Sequence, residues 1–248
     1  MSILYNKNIN ELFQMLTSSG NQKDASALAD LLIYLDRLEE QYTTIHADIQ
    51  DIKKEVQRIQ NGGVRETAKK LVNQIENAAI QVRNGLGKAK GYIAERAASL
   101  TQAVKEKGTI VLNKTLEMMQ CKKMVTGIKR LLEKFHETVD RKIEALSRIG
   151  EELHETAGHA KNAGRIMVGK EAVEIANRNP EQGAIHRIQM GLGHVRAAIV
   201  KLIKGAERTA EKLEALGKQA EEISEKQKIA RENKQQKGEL RKVKVPAR

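Results

Sequence analysis

Between Leu28 and Ile59 the apolar residues recur at alternating spacings of three and four without a gap. They are Leu28, Leu31, Leu35, Leu38, Tyr42, Ile45, Ile49, Ile52, Val56 and Ile59. This is the a/d pattern of a heptad, and it predicts one helix carrying a narrow apolar seam about 48 Å long. A seam that narrow is covered by one or two further helices. Tyr42 is its least comfortable member, because its hydroxyl sits at an a position. The stretch "SSGNQKD" supplies a turn, with Ser19 or Asp24 as cap, and "NGG" at 61–63 is expected to close the helix at a glycine C-cap.

A second heptad run follows far down the chain: Ile185, Ile188, Leu192, Val195, Ile199, Leu202, Ala206, Thr209, Leu213, Leu216, Ala220 and Ile223. Between the two runs the period changes. Leu71, Val82, Ile93 and Val104 recur every eleven residues, with Ile75, Leu86 and Ala97 four further on. An eleven-residue repeat keeps a helix nearly straight. Gly85, Gly87 and Gly91 mark a close helix approach or a bend within it. A further helix is expected from Ile110 to Leu153, interrupted near Gly127, with Ile128, Leu132, Phe135, Val139, Ile143, Leu146, Ile149 and Leu153 on its apolar face. "NRNPEQG" ends the glycine-dotted stretch after it, and "GTIVL" at 108–112 is the one short strand candidate.

These readings predict an all-α chain of long antiparallel helices, part coiled coil and part helical bundle, with a disordered basic C-terminal tail. The expected divisions are a short N-terminal helix and turn (1–23), a heptad helix (24–60), a central helical bundle (64–182), a second heptad helix (183–230) and the tail (231–248). Composition agrees: with no Trp, two Phe and four Tyr, the core must be built from Leu, Ile, Val and Ala. Two Pro in 248 residues leave long helices unbroken.

Charge is uneven along the chain. Residues 1–60 carry 6 basic and 9 acidic groups, whereas 183–248 carry 16 basic and 8 acidic. In the tail, Lys234, Lys237, Arg241, Lys242, Lys244 and Arg248 are the candidate contacts to a polyanion such as DNA. The helix at 64–107 could lie on a membrane surface, but its apolar face lacks Trp and Phe, so membrane contact is not favoured. No apolar run reaches the ~20 residues needed to span a bilayer, and the first residues do not read as a secretion signal. A cytoplasmic setting is expected. Cys121 is the single cysteine, which excludes an internal disulfide.

Two patterns suggest chemistry and fail on inspection. "GRIMVGKE" (164–171) contains Gly, four residues, Gly and Lys, most of a phosphate-binding loop. Glu171 stands where the magnesium-binding hydroxyl belongs, and no apolar strand precedes Gly164. The segment reads instead as helix, with Ala160 and Gly164 letting a neighbouring helix approach near Met167 and Val168. "HETAGH" sets His154 and His159 five apart, not the four that places two imidazoles on one helix face around zinc. No catalytic residue, metal or cofactor, and no nucleotide, is expected.

"SALADLLIYLDRLEEQYTTIHADIQDIKKEVQRIQ" (26–60) and "IGEELHETAGHAKNAGRIMVGKE" (149–171) resemble an uncharacterised all-helical family of Firmicutes, often found near conjugative or integrative mobile elements. The resemblance implies a bacterial protein with a mobile-element role and assigns no site residue. Together these readings predict a non-enzymatic interaction or scaffold protein that forms a homo-oligomer, or binds another helical protein, through the seam Leu28 to Ile59.

Overall fold

The computed structural model describes residues 3–107, 120–176 and 183–242, with side chains up to residue 215 and that of Lys218. Among them are five α-helices: α1 (Lys7–Ser18), α2 (Gln22–Gln57), α3 (Gly62–Lys107), α4 (Cys121–Met167) and α5 (Gly183–Lys242). No strand occurs among the described residues; "GTIVL" lies outside them.

Helix ends follow local chemistry. Asn6 caps α1, its side-chain oxygen accepting from the amides of Asn8 (3.0 Å) and Ile9 (3.3 Å). Gly20, at φ +79°, turns the chain into α2. "NGG" does not close α2 as the glycine C-cap rule suggested. The helix stops at Gln57, and Asn61 instead caps α3 by accepting from the Val64 amide at 3.2 Å. Asparagine is as good an N-cap as glycine is a C-cap, and here the N-cap prevails.

Neither set of internal glycines breaks a helix. α3 is continuous through Gly85, Gly87 and Gly91, and α4 through Gly127. A helical glycine costs only about 1 kcal/mol relative to alanine, less than burial of the adjoining Val125 and Ile128 returns. α5 runs to Lys242, its last residues being mostly strong helix formers. Residues 243–248 lie outside the described residues.

The chain divides into two compact units whose boundaries fall within helices. The first comprises residues 1–34, 90–125 and 207–248. Its described core includes Ile9, Leu12 and Leu16 of α1 with Leu28, Leu31 and Leu32 of α2. Ion pairs join Glu11 to Lys105 (2.8 Å), Asp30 to Lys212 (2.8 Å) and Lys122 to Glu214 (2.9 Å). All are substantially exposed, so they fix register more than they stabilise. Cys121 is buried in this unit, and burial pushes its thiol up to about 12, which leaves it an unreactive core residue.

The second unit comprises residues 35–89 and 126–206, and in it four helices form a closed ring. α2 meets α3 where Glu76 accepts from Lys53 (2.6 Å) and Gln50 (3.1 Å), and where Arg83 lies over the Tyr42 ring. α3 meets α4 at Gly85, where a Cβ would collide with Leu131 Cδ1. α4 meets α5 through Asp140 and Arg196 (2.7 Å). α5 returns to α2 through Arg187 and Glu55 (2.7 Å), and through Gly191, where a Cβ would stand 2.8 Å from Ile52 Cγ1. Numbers rise on one helix as they fall on its neighbour, so adjacent helices are antiparallel. The hydrogen bond from Lys53 is the largest cause holding the Glu76 carboxyl below its ordinary range.

All ten predicted seam residues of α2 are buried within the single chain, Leu28, Leu31, Leu35, Leu38 and Ile49 completely. The described part of the second heptad run, Ile185 to Leu213, is buried as well. The side chains of Leu216, Ala220 and Ile223 lie outside the described residues. Along α3, Val82, Ile93 and Val104 with Ile75, Leu86 and Ala97 are buried, and Leu71 is half-buried. Alanines complete that seam at Ala68, Ala79 and Ala89.

Candidate functional site: the far end of α4

The last turns of α4 differ from every other helical stretch in the second unit. From Glu151 to Ala176 not one residue is buried. Register explains why. Thr67 and Leu71 of α3 face Arg141 to Ile149, and Gln189 of α5 meets the Ile143 carbonyl. The starts of α3 at Gly62 and of α5 at Gly183 therefore lie near residues 149–154 of α4. α4 continues to Met167 with no buried residue along these turns.

Its end is built by "GRIMVGKE". The helix closes at Met167, and Gly169, at φ +75°, reverses the chain. This corrects the reading of the segment as continuous helix: the left-handed conformation that glycine alone adopts freely is used here as a C-cap. The amides of Val168 and Lys170 donate to the Arg165 carbonyl (3.2 and 2.9 Å), and that of Gly169 to the Ile166 carbonyl (3.0 Å). A phosphate loop needs these amides free to face an anion. Here they are spent on the turn.

After the turn, residues 170–176 run back along α4 in extended form. Asn162 clamps Val173 on both backbone groups, accepting from its amide (3.0 Å) and donating to its carbonyl (2.6 Å). Arg165 Nε donates to the Glu171 carbonyl (2.9 Å), and His154 Nε2 to the Ala176 carbonyl (2.7 Å). Ile175 covers Gly158 so closely that a Cβ there would stand 2.7 Å from it. The neighbour expected at Gly164 is absent, since nothing described approaches that position within 4 Å. "HETAGH" is thus the seat of the returning strap, and no group of metal-ligating side chains occurs among the described residues.

This hairpin presents apolar side chains to water: Met167 is 87% exposed, Val168 70%, Ile166 61% and Val173 53%. Nearer the ring, α3 and α4 form a shallow groove of about 330 Å³. Leu71, Ala145 and Ile149 make its floor, and Thr67, Arg141, Glu144 and Arg148 its rim. Arg141 Nε donates to the Glu137 carbonyl (3.2 Å). Arg148 and Glu144 make no ion pair with a described residue.

The sequence-predicted seam and this surface are therefore different places. The seam is interior, whereas the exposed apolar group at 166–168 was not singled out as a site. A signal existed: after Leu153 the large apolar residues lapse, and then three occur in succession, which no single helix face can bury. Of the predicted tail contacts, Lys234, Lys237, Arg241 and Lys242 lie on the helical backbone of α5, with side chains outside the described residues. Lys244 and Arg248 lie outside the described residues altogether.

The profile of a family of unknown function, DUF6674, matches residues 5–247, nearly the whole chain. The chain belongs to DUF6674. The all-helical, uncharacterised family anticipated from residues 26–60 and 149–171 is thereby met in kind. No curated protein and no solved structure matches this DUF6674 member. Among its described residues no helix is long and apolar enough to cross a membrane.

Proposed function

We propose that the chain is a non-enzymatic helical interaction protein whose binding surface is the hairpin at the end of α4, not the heptad seams. The observation that carries this reading is the exposed set Ile166, Met167, Val168 and Val173 on a stretch with no buried residue. Contiguous exposed apolar side chains are unfavourable in water and typically mark interaction surfaces. The turn that displays them is tied down by the Asn162 clamp and the Gly169 cap, so little ordering cost remains to be met on binding. The resemblance to helical proteins near mobile elements supports a bacterial accessory role.

Replacing Met167 and Val168 together by Asp tests it. Both are exposed, so thermal stability should change by no more than about 0.5 kcal/mol. Association of the full chain, with itself or with a purified host partner, should fall at least tenfold in sedimentation or titration. If every association of the wild type persists unchanged, the reading is wrong.

A second reading, DNA contact by the basic end, draws support from the helical backbone through Lys242. Spacings of three and four put Lys234, Lys237 and Arg241 on one helix face. Binding by these residues must weaken steeply with salt, with a log–log slope near −0.9 per phosphate neutralised. A chain lacking 231–248 that binds duplex DNA with the same affinity and slope excludes it.

A further inference from the structure

The seam between α3 and α4 in the second unit carries two rows of cations along its outer side. On α4, Arg130, Lys134, Arg141 and Arg148 are spaced by 4, 7 and 7 residues. At 100° per residue they fall within about 40° of one another, on the side opposite the buried Leu132, Phe135, Val139 and Leu146. The row is 18 residues long, about 27 Å. On α3, Lys70 and Lys88 stand 18 residues apart, a whole number of turns, and so share one edge. Gly85 meets Leu131, and Thr67 and Leu71 lie beside Ala145 and Ile149. That register sets Lys70 and Lys88 beside the two ends of the α4 row.

All six side chains are exposed, and none makes an ion pair with a described residue. In the same unit Lys53, Lys129, Arg187 and Arg196 are each matched by a carboxylate. Three acids border the rows: Glu137 and Glu144 lie further round α4, and Glu152 follows one turn beyond Arg148. Glu133 and Glu66 are already held by Lys129 (3.5 Å) and Lys69 (3.8 Å). Six cations against three acids leave the strip positive. We propose that it holds the sugar–phosphate backbone of duplex DNA without reading base sequence.

The shape and chemistry of the strip favour that occupant over other polyanions. A straight strip two helices wide suits a rod of charge. About 27 Å of duplex offers roughly 16 phosphates, so six cations find partners in any register. Three of the four cations on α4 are arginines, whose planar fork bonds two phosphate oxygens at once. A single strand would call for aromatic side chains to stack its bases, and neither row holds one. A lipid surface would call for large apolar side chains among the cations. The exposed ones, Ile166, Met167 and Val168, lie past the end of the row. The strip is separate from the hairpin and from the basic end of α5, and its role depends on neither.

The test is fluorescence anisotropy of the full-length chain with a labelled duplex of about 20 base pairs across a salt series. Arg141→Gln/Arg148→Gln should raise the dissociation constant at least tenfold at about 50 mM salt and make the log–log salt slope shallower by about 2. Arg141→Lys/Arg148→Lys keeps both charges and should keep the slope. Lys201→Gln/Lys204→Gln removes the same charge from exposed positions on α5 and should change neither quantity. All these positions are exposed, so melting should shift by no more than about 0.5 kcal/mol.

No binding at about 100 µM protein in low salt overturns the proposal. So does an Arg141→Gln/Arg148→Gln slope equal to the wild type, or an equal loss in Lys201→Gln/Lys204→Gln, which would reflect net charge alone. A slope that falls only on removal of 231–248 assigns the binding to the tail instead. Flotation with phosphatidylglycerol vesicles that is lost in Arg141→Gln/Arg148→Gln, with no binding to duplex, overturns it in favour of a lipid surface.

Discussion

Ile49→Asp should unfold the second unit under conditions where the wild type is intact. Ile49 is fully buried in the middle of the α2 seam, within the ring of four helices. A carboxylate there is taken out of water, and its short side chain cannot reach water as a lysine stem could. An unpaired buried charge is among the few single changes that cost about 4 kcal/mol or more. Single domains are stable by only about 5–15 kcal/mol, so much of the margin disappears. The loss should appear as a fall of about 10 °C or more in the midpoint of the helical circular dichroism signal. The alternative picture, in which the seam Leu28–Ile59 is an outer face between chains, gives a different result. There the variant would separate the chains and leave each one folded. A variant that melts with the wild type would require the seam to be exposed in solution.

Phe135→Ala is the second large effect. Phe135 is 1% exposed and is among the largest fully buried side chains. The chain's other phenylalanine, Phe13, is 37% exposed, so Phe135 is the one buried phenylalanine. Truncation of a buried Phe to Ala removes transfer energy and leaves a cavity, about 3–5 kcal/mol together. The core is made largely of branched aliphatic side chains and alanine, and cannot collapse into a ring-sized void without moving helix backbones. Urea titration should show a lower midpoint with an unchanged slope, the mark of lost stability without a changed denatured state. Phe135→Leu keeps most of the volume and should cost under about 1.5 kcal/mol. If the Ala and Leu variants behave alike, the ring is not packed as described.

Much of this architecture could be read from spacing alone, because large aliphatic residues at intervals of three and four have one economical use. The α2 seam from Leu28 to Ile59 is buried at every position where the heptad placed it, and so is the described part of the second run. Alanine is less legible. Ala68, Ala79 and Ala89 are seam residues of α3, yet alanine favours helix at any position, so its presence does not reveal a face. Helix ends were also hard to place. Asn61-Gly62-Gly63 suits a stop or a start equally, and competition between the two caps depends on where the next helix packs. The candidate site was the least legible part. A heptad seam looks the same whether its partner belongs to the same chain or another, so spacing pointed to an outer surface where the fold has an interior. The exposed group at Ile166 to Val168 was hidden inside a pattern that suggested a nucleotide. Its meaning depends on the turn at Gly169, which has no periodicity to announce it.

The stretch from Glu151 to Ala176 also bears on how the sequence can change with time. Because none of these side chains lies in the core, most replacements there leave folding unharmed, and selection for stability does not restrain them. Gly158, Asn162 and Gly169 are exceptions, since they shape the strap itself. If the hairpin binds a partner as proposed, any restraint elsewhere in the stretch reflects that contact, and drift at Ile166, Met167 and Val168 would alter it while the four-helix ring stays the same.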